Sequence, residues 1–108
     1  MATAIQPELG AIRAIALQIA ARFAPRKIIL FGSCARGSTT DESDADLLIL
    51  VDGNQPSLAL AAEINASIDH PFPIDILVWQ TSQFEESLER GGSFATEVAS
   101  TGIVLHEA

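Results

Sequence analysis

A chain of 108 residues and 11.4 kDa has the size of one domain, and 48% apolar with 19% charged residues supplies a core and excludes a compositionally disordered chain. Fourteen Asp and Glu against six Lys and Arg give a net charge of −8 and a pI near 4.4, which argues against a free-standing nucleic-acid binder and against attraction to anionic membranes. The single cysteine, Cys34, excludes an intrachain disulfide and a cysteine-based zinc site, and the two histidines, His70 and His106, share no metal-ligand spacing.

Residues 5–24 are rich in Ala and Ile, but Glu8, Arg13, Gln18 and Arg22 interrupt them. The segment therefore lacks the unbroken apolar run of an export signal or a spanning helix, and the expected location is cytoplasmic. Leu9, Ile12, Ala16, Ile19 and Phe23 recur at three- and four-residue steps and predict an amphipathic helix that Pro25 ends. Residues 27–31 (KIILF) read as a short buried strand closed by Gly32, and residues 33–43 as a small, polar turn region with room for a short helix. Residues 46–51 (DLLILV) read as a second strand, apolar at consecutive positions as when both faces are covered.

Leu60, Ile64 and Ile68 predict a helix over 57–68, and 74–79 (IDILVW) a third strand after the turn at 69–73. Thr81 or Ser82 with Glu85 resembles a capping box that opens a short helix, which Gly91 and Gly92 stop. Residues 93–100 then suggest a last helix, and 103–106 a final strand. No repeat or linker divides the chain, so 1–108 is expected to be one α+β domain of two layers, with helices on one face of a small sheet. The other face would stay partly open, to be covered by a ligand or a partner.

The chemistry concentrates between Gly32 and Val51. Asp44 and Asp46, two apart at the start of a strand, point to one face, where two carboxylates repel unless a cation lies between them. Oxygen ligands without nearby His or Cys favour Mg2+ or Mn2+ over zinc. Asp75 starts the next strand; if the strands are neighbours, three carboxylates converge, the ligand set of a two-metal phosphoryl- or nucleotidyl-transfer site. Gly32 lets the backbone approach a phosphate closely, the Ser33 hydroxyl and following amides can cradle it, and the Arg36 fork can pair with it.

Gly32-Ser33, ten residues, then Asp44-Ala45-Asp46 is similar to the signature of the DNA polymerase beta-like nucleotidyltransferases, and the strings FGSCARG and SDADLL resemble its minimal nucleotidyltransferase (MNT) subfamily. The resemblance implies a nucleotidyltransferase fold with a small mixed sheet. It further implies Gly32 and Ser33 at the triphosphate of ATP, beside the Arg36 fork, and Asp44 and Asp46 as ligands of two Mg2+ ions, with Asp75 as third ligand or as base for the acceptor hydroxyl. Cys34 stands where the family often has a larger or basic residue.

Larger relatives carry a second domain that holds base and acceptor. The resemblance therefore implies that another protein supplies the acceptor, as when an MNT antitoxin is paired with a small helical HEPN-type toxin and transfers AMP to a toxin tyrosine. Two rival readings are an antitoxin that acts by binding alone and a small-molecule transferase of the aminoglycoside type, for which a homo-oligomer would supply the missing walls. Each site residue also has a plainer reading: Asp44 and Asp46 as turn acids, Asp75 as a solvated strand acid, Arg36 as a partner of Asp41 or Glu42, and Ser33 as a helix cap. Trp79 and Phe84 read as core, whereas Phe84, Phe94 and Val98 together are the expected apolar anchor for a basic partner.

Overall fold

Isoleucine and alanine at helical spacing build α1 (Leu9–Phe23), which buries Ile12, Ile15, Ala16 and Ile19 to 4% exposure or less. The computed structural model describes residues 9–32, 45–53, 57–68 and 74–108. The α1 helix stops at Ala24, whose φ of +48° lies in the left-handed region and whose N–H donates to Ala20 O at 3.1 Å. Pro25 follows and forbids continuation. The chain then runs through β1 (Lys27–Phe31), β2 (Ala45–Val51), α2 (Ser57–Ser67), β3 (Ile74–Gln80), α3 (Thr81–Glu89), α4 (Ser93–Thr101) and β4 (Ile103–Glu107).

These strands form one mixed sheet in the order β3-β2-β1-β4. β1 runs antiparallel to β2 and β4, while β2 and β3 are parallel and joined across α2. Parallel neighbours need a crossover, and α2 supplies it.

Strand periodicity sorts the core into two. Ile28, Leu30, Leu47, Ile49, Val51, Ile74, Ile76 and Val78 point to one face and pack with α1 and α2. Ile29, Leu48 and Leu50 point to the other, where Phe84 of α3 and Ala95 and Val98 of α4 cover them. The α+β class and the small mixed sheet are as expected, with one correction: α1 and α2 share one face, but α3 and α4 occupy the second. The physical cause is the consecutive apolar run of β2. Leaving Leu48 and Leu50 in water would forgo about 1.5–3 kcal/mol for each side chain. Among the described residues the second face is most open at its two edge strands, where Asp75 is exposed and Leu77 of β3 and Val104 of β4 are 41% and 47% exposed.

The expected capping box does not form. Gln80, in extended conformation, precedes α3 and makes no side-chain cap bond. Thr81 instead donates its hydroxyl to Val51 O at 3.3 Å, tying the start of α3 to the end of β2. At the far end of α4, a Cβ on Gly102 would lie 2.5 Å from Val98 O and 2.6 Å from Ile29 Cγ2, so only glycine lets α4 turn this closely against β1. Among the described residues, no helix is long and apolar enough to cross a membrane.

Candidate active site

The register of the sheet lays out the second face as rows. Phe31 of β1 pairs with Asp46 of β2, which pairs in turn with Asp75 of β3. Partners in register share a face, and neighbouring strands lie roughly 5 Å apart, so the two carboxylates stand side by side with an aromatic ring flanking Asp46. The next row holds Ile29, Leu48 and Leu77, and the one after it Leu50 and Trp79. The strands that were to be neighbours are neighbours, and of the three acids expected to converge Asp46 and Asp75 sit at one register position.

Gly32 ends β1 directly beside this pair. Its φ is +82°, a conformation that glycine adopts without steric cost. The space its missing side chain would fill is occupied by Asp46: a Cβ there would collide with Asp46 Oδ2 and lie 3.3 Å from Asp46 Cγ. The glycine thus brings the backbone that leads into the Ser33 segment into contact with one of the acids. Ser33, Cys34, Arg36 and Asp44 lie outside the described residues, as do the predicted turn regions at 33–43 and 69–73 and His70.

Asp46 is half-buried and Asp75 exposed. Oxygen donors side by side, with backbone held close by Gly32, suit a hard divalent cation that also touches a phosphate. No group of three metal-ligating side chains occurs among the described residues. Of the three carboxylates expected to hold a metal, Asp46 and Asp75 stand side by side in the sheet, and Asp44 lies outside the described residues.

Other expectations are corrected here. Phe84 and Val98, expected as a partner's apolar anchor, are buried at 6% and 2% exposure, because they are the cover of Leu48 and Leu50. Only Phe94 of that trio is partly exposed. Lys27, at the start of β1 as expected, pairs with Glu107 of β4 at 3.5 Å. Phe31 and Leu77 are neighbours of the site that were not expected from the sequence. Strand parity carries the signal: Leu77 and Trp79 follow Asp75 at steps of two and must share its face.

A family model described as "Nucleotidyltransferase domain" matches residues 12–101. A solved structure, of a candidate nucleotidyltransferase from Sulfolobus solfataricus, is similar in fold with a TM-score of 0.61 and 21% identity, covering 89% of this chain and 77% of that one. No curated protein matches the chain by sequence.

Proposed function

Because the chain belongs to the nucleotidyltransferase domain family, we propose that its second sheet face transfers AMP from ATP to a hydroxyl on a partner protein, with Asp46 and Asp75 at its centre. The observation that supports this reading is the pairing of Asp46 with Asp75 in parallel register, with Gly32 against the Asp46 carboxylate. Asp46 and Asp75, with Asp44, would hold Mg2+, which supplies positive charge to the triphosphate and to the oxygens whose charge grows during transfer. Gly32 brings the backbone near the phosphates, with Ser33 and Arg36 following it in sequence as further contacts.

In the reaction the acceptor oxygen bonds to the α-phosphorus and the bond to the β-phosphate oxygen breaks. Pyrophosphate leaves with that electron pair. Asp75, exposed at the sheet edge, would serve as the third ligand or take the hydroxyl proton.

The net charge of −8 favours an acceptor protein with a basic surface, since complementary charge speeds and orients encounter. A small helical HEPN-type toxin, modified by this chain as its antitoxin, fits that description. The test is to mix the protein with its genomic neighbour, labelled ATP and Mg2+, and weigh both by intact-mass spectrometry. The neighbour should gain the mass of one or more AMP groups, and Asp46→Asn or Asp75→Asn should abolish the gain. Label appearing on a small molecule, with no complex formed, would overturn the protein acceptor.

A further inference from the structure

The carboxylates share their face with most of the chain's aromatic rings. Phe94 of α4 reaches back over the sheet and touches two of them: Phe31 at 5.3 Å between ring centroids, edge to face, and Trp79 at 5.2 Å, tilted by 42°. Phe84 backs Trp79 at 6.3 Å. Phe31 stands in the row of Asp46 and Asp75, and Trp79 two rows further along β3, with half-exposed Leu77 between.

The opposite core is built almost wholly from Ile, Leu, Val and Ala, with Phe23 its one aromatic side chain among the described residues. Rings are not needed to fill a sheet face in this protein, yet they gather here. Phe31, Trp79 and Phe94 are all incompletely buried, while the aliphatic residues beneath them, Ile29, Leu48 and Leu50, are at 4% exposure or less. Apolar flat surface is thus left in contact with water within two rows of the two carboxylates.

We infer that Phe94, with Phe31 and Trp79, forms the seat of the nucleotide's base, a planar heteroaromatic ring held against Phe94 and over Leu77 while its phosphates lie at Asp46 and Asp75. The inference rests on the nucleotidyl-transfer reading of that face. Two residues along a strand advance about 7 Å, so Leu77 lies one such step and Trp79 two from Asp75. A nucleoside extending from an α-phosphate at the acids spans that interval. Stacking on a ring is tolerant of base identity but gains with ring area, so a purine binds better than a pyrimidine. Phe94 and its neighbours are here positioning and specificity residues; they touch no reacting bond.

The chain contains one tryptophan and no tyrosine, so its emission reports Trp79 alone. Wild-type protein is titrated in Mg2+ with ATP, with UTP and with inorganic tripolyphosphate, following both Trp79 emission and melting temperature. ATP is expected to change the emission and raise the melting temperature. Tripolyphosphate should raise the melting temperature with the emission unchanged, and UTP should bind more weakly than ATP. Phe94→Leu, which keeps an apolar side chain against the second core, should weaken ATP about tenfold and narrow its advantage over UTP, while leaving tripolyphosphate unaffected. ATP binding that leaves Trp79 emission unchanged overturns the base seat, as does Phe94→Leu that binds ATP like the wild type. A wild-type protein that binds neither ATP nor tripolyphosphate overturns the nucleotidyl-transfer reading itself. Should Phe94→Leu not fold, the wild-type comparison of ATP with tripolyphosphate still decides.

Discussion

Replacing Gly32 by alanine separates two physical costs at the site. The first is conformational, because an L-residue at φ +82° loses about 1–2 kcal/mol relative to its preferred region, partly offset by the freedom glycine gives the unfolded chain. The second is steric, because the new Cβ falls on the Asp46 carboxylate and must push that side chain off its rotamer, for about 0.5–1.5 kcal/mol more. Gly91 provides the control. Its φ is +75°, but a Cβ there meets nothing within 4 Å, so Gly91→Ala carries only the first cost. Urea denaturation should show Gly91→Ala less stable by about 1 kcal/mol and Gly32→Ala by about 2 kcal/mol. For a domain of this size each kcal/mol lowers the melting temperature by roughly 4–8 °C. The variants should also part in their response to Mg–ATP. At a hundredfold excess over Kd a ligand of the native state adds about 2.7 kcal/mol, which Gly91→Ala should retain and Gly32→Ala should largely lose. If Gly32→Ala is no less stable than Gly91→Ala and responds fully to Mg–ATP, the close approach of Gly32 to Asp46 has no bearing on the site.

Two further substitutions test the frame around it. Ala24→Gly, at the left-handed end of α1, should stabilise the protein by about 0.5–1 kcal/mol in urea denaturation, since Ala24 is exposed and its φ of +48° favours glycine. Gly102→Ala should destabilise by about 1–3 kcal/mol, because α4 must withdraw from Ile29 to admit the methyl group; the midpoint of urea unfolding followed by Trp79 emission measures it.

The limits of the elements were legible because apolar runs here end in strong punctuation: Pro25 after α1, Gly32 after β1, and Gly102 before β4. The acid pair was legible up to one condition, that the strands bearing Asp46 and Asp75 be neighbours; parallel pairing across α2 meets it. The side of the sheet taken by α3 and α4 was not legible. Phe84 and Val98 have the same apolar character whether they meet a core or a partner, and only the path from β3 through Thr81 decides which face they cover. The helix opening at Thr81 was expected, but the partner of its hydroxyl was not, for a related reason. Its hydroxyl bonds to a carbonyl 30 residues away rather than to the first turn of its own helix, and such a long-range competitor leaves no local pattern.

The strand order also implies an order of assembly. Gly32 directly follows β1, and Asp46 and Asp75 lie on β2 and β3; the three strands follow one another in the chain and are neighbours in the sheet. Pairing β1 with β2 and β2 with β3 needs only short or helix-filled closures, whereas β4 must return from the end of the chain to place Glu107 beside Lys27. Closing the longer loop costs more chain entropy, so contacts of high sequence separation form late. During synthesis the scaffold of the acids is complete once β3 has emerged, while the outer edge of β1 waits for β4. A nascent chain stalled between β3 and β4 would thus carry its acid row already aligned, beside an unpaired strand edge and an uncovered Leu48.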